Sequence, residues 1–114
     1  TEIYTLSLHD ALPIYAREAM MEVETDINEG VDIVMIKPAL SYLDLIAETR
    51  RKYNVPVSAY SVSGEYALVK AASQLGYVNE KDITLEILYS IKRAGADMIV
   101  TYFAKSASRF LQES

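Results

Sequence analysis

Cysteine is absent from the sequence, and histidine occurs only once, as His9. The lack of cysteine excludes a disulfide framework, a thiolate metal site and a cysteine nucleophile within these residues, and it fits a reducing cytoplasm. A histidine-based triad or zinc site would have to depend on His9 alone. We therefore expect a cytoplasmic protein whose chemistry is carried by other side chains.

Excess positive charge and long hydrophobic runs are also lacking. The 11 Lys and Arg residues are outnumbered by 16 Asp and Glu residues, which gives a net charge of -5. Such a chain has no basic field that would attract phosphate backbones, so nucleic acid is not an expected partner. The apolar runs span only a handful of residues, whereas a transmembrane helix needs roughly 20. A membrane is therefore not an expected partner either.

The 114 residues, 51% of them hydrophobic, suffice for one folded domain, but the chain divides into two parts. Residues 1–15 show no clean period of a strand or helix and join abruptly, after Pro13, to a strongly helical pattern. The string YTLSLHDALPI resembles a translated sequencing adapter, with an ordinary N-terminal tail as the alternative. Both readings make His9 and Asp10 poor catalytic candidates. We interpret residues 1–15 as a separate segment and look for function in residues 16–114.

Helical patterns alternate with short apolar runs from Ala16 onward. The run Ile33–Ile36 is too short for a helix and lacks polar alternation, which is typical of a strand buried on both faces. Ser41 followed by Asp44 resembles a capping box, and Asn79 can cap a further helix. The predicted elements are a helix over Arg17–Glu29, strand Ile33–Ile36, a helix from Ser41 to Tyr53, strand Val55–Val62, two helices ending at Gly76 and Gly95, strand Met98–Val100 and a helix from Ser106 to Gln112.

This order of elements predicts an α/β fold with parallel strands joined by helical crossovers. An internal repeat supports it, because residues 29–39 align with residues 94–104 and their glycine, aspartate and final alanine coincide. The offset of 65 residues equals two strand-helix units of about 30 residues each. The alignment places Lys37 and Tyr102 at equivalent positions, each at the C-terminal end of a buried strand. Ser63 ends the strand between them.

Lys37, Ser63 and Tyr102 are the candidate functional residues. Ligands of parallel α/β folds bind where the strands end, so three polar side chains at three strand ends could face one pocket. A lysine after an apolar strand is partly desolvated, which disfavours its ammonium form and makes the amine a possible nucleophile toward a ketone or aldehyde. The two hydroxyls, with backbone N–H groups at Gly64, could hold a substrate carboxylate.

Each candidate also has a plainer interpretation that the residues alone leave open. Lys37 could be a strand-end lysine that reaches solvent, and Ser63 could be the N-cap of the helix that follows it. Tyr102 could be an aromatic residue at a strand end with a satisfied hydroxyl. The acidic residues of the first helix are typical of a solvated face rather than a metal site; they are Glu22, Glu24, Asp26 and Glu29.

Three motifs resemble the C-terminal third of the porphobilinogen synthase family, also called 5-aminolevulinate dehydratase. They are MIKPALSYLD at residues 35–44, AYSVSGEYALVKAA at residues 59–72 and SIKRAGADMIVTYFA at residues 90–104. The resemblance runs from about residue 16 to the end of the chain. It implies a (β/α)8 barrel of which this sequence carries three strand-helix units, an incomplete barrel. It also implies a lyase of tetrapyrrole and haem biosynthesis that condenses two 5-aminolevulinate molecules into porphobilinogen.

The resemblance implies a role for four residues. Lys37, in MIKP, matches the family lysine that forms a Schiff base with the keto carbon of the first-bound substrate. Ser63, in VSGE, and Tyr102, in TYFA, match residues that bind the carboxylate of this substrate. Glu22 matches an acidic position that binds an allosteric Mg2+ ion in many bacterial members, although one glutamate cannot complete an octahedral site.

Other parts of the family site lie upstream of the motifs. They are a second lysine, the ligands of a catalytic-site metal (Zn2+ or Mg2+), a lid and an N-terminal arm that forms a homo-oligomer of the octamer type. A whole barrel needs about 250 residues. We therefore expect a truncated chain that is inactive alone. Two alternatives remain open: another lysine-imine enzyme, such as an aldolase, and a non-catalytic assembly fragment.

Overall fold

The computed structural model describes residues 3–6 and 15–113, and in these ranges strands alternate with helices. Both β strands and α helices are short, as the sequence pattern predicts. The elements are β1 (Ile3–Leu6), α1 (Ala16–Asn28), β2 (Ile33–Ile36), a 3-10 helix (Leu40–Tyr42), α2 (Leu43–Lys52), β3 (Val57–Ser61), α3 (Ser63–Gln74), α4 (Glu80–Ala94), β4 (Met98–Thr101) and α5 (Ala104–Gln112). None of the helices in these ranges has the length and apolarity that crossing a bilayer requires.

The strands form one parallel sheet of four strands in the order β1-β2-β3-β4, which is also their order along the chain. The predicted α/β class is confirmed. The sequence predicted three strands, and the additional strand, β1, lies within the segment set apart as residues 1–15. Its four residues pair with all of β2. The sequence pattern missed β1 because Ile3–Leu6 is not a continuous apolar run like Ile33–Ile36 and lies in the segment that was set apart.

The hydrophobic core lies between one face of the sheet and the helices. Val34 and Ile36 of β2 and Val57 and Ala59 of β3 are fully buried, and they pack with apolar residues of α1, α2 and α4. Because successive strand residues point to opposite faces, the residues between them belong to the other face. On that face Met98 and Val100 of β4 are each 43% exposed. We call this second face the open face; it contains Met35, Ser58, Tyr60, Met98 and Val100.

The predicted internal repeat corresponds to two equivalent structural units. Gly30 precedes β2 with a φ of 97°, and Gly95 precedes β4 with a φ of 126°. The aspartate of the second unit joins three elements: Asp97 Oδ2 accepts a hydrogen bond from Val57 N at 2.9 Å and pairs with Arg50 Nη1 at 3.2 Å. The glycine-to-aspartate segment is therefore a strand-entry turn at the end of the sheet opposite to Lys37 and Tyr102.

Two of the predicted helix caps are wrong and one is confirmed. Asn79 caps α4 by accepting a hydrogen bond from Asp82 N at 3.0 Å. Ser41 caps nothing, because it lies inside the 3-10 helix and α2 starts without a side-chain cap. Ser63 is not the N-cap of α3, because the backbone stays extended through Val62 and Ser63 is already the first helical residue.

Candidate functional site

Lys37 follows β2 directly and is half-buried at the C-terminal edge of the sheet. Lys37 lies two residues after Met35, so its side chain points to the same side of the sheet and extends the row of residues on the open face. The Lys37 Nζ atom lies 5.9 Å from the centre of the Tyr60 ring on the neighbouring strand. This distance is within the range of a cation–π contact. The amine is thus directed toward β3 rather than away from the sheet.

Tyr102 follows β4 directly. It lies two residues after Val100, so it belongs to the open face together with Met98 and Val100. Its side chain is 57% exposed, and its hydroxyl oxygen lies 3.5 Å from that of Tyr60. Tyr60 therefore contacts Lys37 through its ring and Tyr102 through its hydroxyl. The predicted lysine and tyrosine are brought together across the strand that lies between them.

The hydrogen bond with Tyr60 raises the pKa of Tyr102 above the usual value of 10.0, and repulsion from a Tyr60 phenolate and desolvation act in the same direction. A tyrosine hydroxyl is protonated at neutral pH in any case, and this shift moves its titration further from neutrality. A protonated phenol can donate a hydrogen bond to an anionic group, which a phenolate cannot do.

An aromatic cluster supports Tyr102 from the helix side. The Tyr66 ring of α3 lies 5.7 Å from the Tyr102 ring and 4.6 Å from the ring of Phe103, which is 4% exposed. Tilted rings at these distances pack favourably. The cluster fixes the turn between β4 and α5, so Tyr102 has a defined position despite its exposure.

Ser63 lies two residues beyond β3, at the same edge of the sheet, and is exposed. Since its side chain does not cap α3, its hydroxyl is not used by the helix start. The first N–H groups of a helix have no partner within the helix, and the helix dipole adds a partial positive charge there. The start of α3 thus presents a hydroxyl and backbone donors toward solvent at the edge that carries Lys37 and Tyr102.

Glu65 is a buried acidic residue that the sequence interpretation did not single out. Its Oε2 atom accepts a hydrogen bond from Ser61 Oγ at 2.8 Å, and its Oε1 atom accepts one from Leu40 N at 3.0 Å. A further hydrogen bond, from Ala39 N to Tyr60 O at 3.0 Å, also attaches the loop after β2 to β3. The segment after Lys37 is thus bound to the end of β3 and to the first turn of α3.

Tyr60 and Glu65 are the two site residues that sequence reasoning missed. Tyr60 sits in a run of strand formers. The signal that could have found it is its place on the open face of the sheet, to which Lys37 and Tyr102 also belong. Glu65 belongs to the quoted VSGE motif, where only Ser63 was assigned. An acidic residue in the first turn of a helix is ordinarily a dipole partner, so nothing local marked it as buried.

Glu22 is exposed on α1. Within the described ranges, no group of three or more His, Cys, Asp or Glu side chains could hold a metal ion. A Mg2+ ion held by the Glu22 carboxylate would have to take most of its octahedral ligands from water. His9 and Asp10 lie outside the described residues.

This edge of the sheet carries an amine, two hydroxyls and a helix start. An amine can add to a carbonyl carbon, while hydroxyls and helix N–H groups can hold an anion. The combination suits a small molecule that carries both a ketone or aldehyde and an acid group.

Comparison with known proteins gives consistent matches. The sequence model of the delta-aminolevulinic acid dehydratase family matches residues 8–110, a range that begins inside the segment set apart in the sequence analysis. The chain is 56% identical over 101 residues to the delta-aminolevulinic acid dehydratase of Synechocystis sp. and 50% identical over 101 residues to that of Bacillus subtilis. Both alignments cover 89% of this chain and 31% of the relative.

A solved structure is similar as well. The crystal structure of delta-aminolevulinic acid dehydratase (porphobilinogen synthase) from Toxoplasma gondii, in complex with the reaction product porphobilinogen, superposes with a TM-score of 0.83 at 52% identity. The superposition covers 87% of this chain and 28% of that one. The chain therefore spans about a third of the length of the proteins that it resembles.

Proposed function

Because the chain belongs to the delta-aminolevulinic acid dehydratase family, we propose that it is the imine-forming, C-terminal part of an enzyme that condenses two 5-aminolevulinate molecules into porphobilinogen. In this proposal Lys37 is the nucleophile, and Ser63 and Tyr102 bind the substrate carboxylate. The observation that carries it is the contact of Tyr60 with both Lys37 and Tyr102 at the C-terminal edge of the sheet.

The first step is the attack of the neutral Lys37 amine on the keto carbon of 5-aminolevulinate. The new C–N bond forms as the C=O bond opens to a hydroxyl, and loss of this hydroxyl as water leaves a C=N double bond. Protonation of the imine nitrogen makes it an electron sink for the adjacent carbon atoms. Lys37 is half-buried, and its Nζ atom lies 5.9 Å from the centre of the Tyr60 ring, so the amine is held at the edge of the sheet where the substrate would bind.

The substrate carboxylate is oriented by groups on the two neighbouring strand ends. Ser63 and the N–H groups at the start of α3 supply donors, and the helix dipole there favours a negative charge. Tyr102 supplies a protonated phenol that can donate a hydrogen bond to the carboxylate. Fixing the acid end of the substrate brings its keto carbon to the amine, which converts a bimolecular encounter into a local one.

The remaining steps belong to parts of the barrel that these residues do not supply. We propose that the described sheet is a portion of a (β/α)8 barrel and that a cytoplasmic homo-oligomer of the full-length protein carries the complete activity. The second lysine, the ligands of the catalytic-site metal and the second substrate site are then contributed by other residues. In this proposal the 114 residues alone form the imine but do not release porphobilinogen.

Borohydride trapping with 5-aminolevulinate tests the proposed nucleophile. We expect reduction to attach the substrate covalently to Lys37, with peptide mapping placing the label there, and we expect Lys37→Arg to abolish the label. Lys52→Arg is the matched control, because Lys52 is exposed and paired with Glu48 at 2.7 Å. A label that appears equally on several lysines contradicts a specific imine site. Trapping of pyruvate or an aldose on Lys37, without 5-aminolevulinate, would identify a different imine-forming enzyme.

A further inference from the structure

The Glu65 carboxylate joins three separate pieces of backbone at the edge of the sheet. It belongs to the first turn of α3, it accepts from Ser61 at the end of β3, and it accepts from the N–H group of Leu40 in the loop after β2. Leu40 is the first residue of the 3-10 helix, whose start has no side-chain cap of its own. Glu65 therefore caps this short helix from another element.

Burial of Glu65 is unusual because no cation compensates its charge. The residue is 8% exposed, and none of the four ion pairs among the described residues includes it. A buried carboxylate without a cation depends on its hydrogen bonds for stabilisation. Two short hydrogen bonds supply this stabilisation, so a shift of the loop or of the strand end would leave a buried oxygen unsatisfied. The geometry of all three segments is consequently coupled.

The coupled segments carry the candidate site. Leu40 lies three residues after Lys37, and Ser63 lies two residues before Glu65 in the same turn of α3. The distance between the amine and the serine hydroxyl therefore depends on how the loop after β2 is attached to the start of α3. Glu65 makes this attachment with its side chain, and the Ala39–Tyr60 backbone bond makes it a second time.

We propose that Glu65 is a positioning residue that fixes Lys37 relative to Ser63, and this inference rests on the proposed function. Glu65 contacts neither the amine nor the serine hydroxyl; it acts through Leu40 and Ser61. Its two hydrogen bonds, and not its charge, carry the role. A neutral side chain of the same shape should therefore replace it, whereas a shorter acid should not.

Three substitutions separate shape from charge. In Glu65→Gln the amide oxygen still accepts from Leu40 N and the amide nitrogen can donate to Ser61 Oγ. Glu65→Asp keeps the charge but loses one methylene, so its carboxylate cannot reach both partners. Glu65→Ala removes both hydrogen bonds. The same three substitutions at Glu86, an exposed glutamate of α4, are the matched controls.

The rate of borohydride trapping of 5-aminolevulinate on Lys37 is the first readout, measured in the 114-residue chain and corrected for the folded fraction. We expect Glu65→Asp and Glu65→Ala to lower this rate by about tenfold or more, and Glu65→Gln to stay within about threefold, because small misplacements of reacting groups have large effects on rate. Hydrogen exchange of the Leu40 amide is the second readout. It should accelerate in Glu65→Asp and Glu65→Ala but not in Glu65→Gln or the Glu86 variants.

The outcomes are distinguishable from a failure of the proposed function. If the unsubstituted chain labels Lys37 and folded Glu65→Ala labels it at the same rate, the positioning role is wrong while the proposed function stands. If the unsubstituted chain does not label Lys37, the proposed function is wrong, and Leu40 exchange alone then decides whether Glu65 fixes the loop. If Glu65→Ala does not fold, the comparison of Glu65→Asp with Glu65→Gln decides the question.

Discussion

Tyr60 is the residue through which the two predicted ends of the candidate site meet. Its ring faces the Lys37 amine and its hydroxyl faces that of Tyr102. Because both contacts depend on one side chain, substitutions at Tyr60 can separate them. Phenylalanine keeps the ring and removes only the hydroxyl.

Tyr60→Phe should lower the pKa of Tyr102 toward 10.0, because the hydrogen bond with Tyr60 is the main cause of its elevation. Ultraviolet difference titration measures the change, and Tyr102→Phe identifies which step of the titration belongs to Tyr102. Tyr77→Phe is the control, since Tyr77 is 79% exposed. An unchanged Tyr102 titration in Tyr60→Phe would contradict the assigned cause.

The same pKa shift predicts a pH dependence of stability. A group whose folded-state pKa is raised above its unfolded-state value stabilises the fold below the unfolded-state value, and this contribution disappears as the pH rises through the folded-state value. For Tyr102 the loss begins near pH 10.0. We expect the free energy of unfolding to fall more steeply above this pH in the unsubstituted chain than in Tyr60→Phe, as measured by urea denaturation. Equal slopes would argue against the linkage.

At the residue scale, the sequence pattern predicts which residues end the strands but not which residues connect them. Lys37 and Tyr102 are found from the apolar runs that precede them. The Tyr60–Tyr102 and Leu40–Glu65 hydrogen bonds join residues that are 42 and 25 positions apart. Contacts at such separations depend on sheet register, which no local motif encodes.

The elements of the fold depend on turns at the opposite edge of the sheet, where two equivalent glycines precede β2 and β4. Both have a positive φ, but their surroundings differ. A Cβ atom at Gly30 would meet no atom within 4 Å, whereas a Cβ atom at Gly95 would lie 2.7 Å from Arg50 Cγ. An alanine at Gly30 would therefore suffer backbone strain alone. An alanine at Gly95 would suffer backbone strain and steric overlap with Arg50.

Gly95→Ala should destabilise the fold by about 2–4 kcal/mol, because backbone strain adds to overlap with Arg50. Gly30→Ala should cost about 1–2 kcal/mol from strain alone. Chemical denaturation monitored by circular dichroism measures both. In the double variant Gly95→Ala with Arg50→Ala, the overlap with Arg50 Cγ is relieved but that with Arg50 Cβ, 2.8 Å away, remains, so only a small part of the loss should be recovered relative to Arg50→Ala alone. Equal losses for the two single glycine variants would contradict this account.

The sequence predicts the elements better than it predicts their ends. Strand Ile33–Ile36 and the Asn79 cap are confirmed, since each follows from a local pattern. The capping box at Ser41 fails because Ser41 lies inside the 3-10 helix Leu40–Tyr42, so α2 starts after it and without a side-chain cap. The Ser63 cap fails because the extended backbone ends at Val62, one residue earlier than the pattern indicates, so Ser63 is already helical. Both wrong caps concern helix starts that lie beside the candidate site.

For the whole molecule, the open face of the sheet is the main feature that remains uncovered. Met98 and Val100 are each 43% exposed there, and β4 pairs with a strand on one side only within the described residues. An apolar face next to an unpaired strand edge favours association with another chain. We expect the 114-residue chain to self-associate as its concentration rises.

Val100→Lys should raise the dissociation constant of this association by about tenfold or more, because a valine that is buried on association contributes about 1.5 kcal/mol or more. Sedimentation equilibrium measures the change. Leu68→Lys is the matched control, since Leu68 is 72% exposed but lies on α3, away from the open face. If Leu68→Lys weakens association as much as Val100→Lys, the open face is not the site of contact.

The strands lie side by side in the order in which the chain runs, and each pairs with the strand that was made before it. A polypeptide emerging from the ribosome therefore finds its docking surface already synthesised at every stage. Among the four strands of the described sheet, each has a neighbour in chain order with which it can pair. The nascent sheet can therefore grow in one direction, with each new strand added beside the previous one.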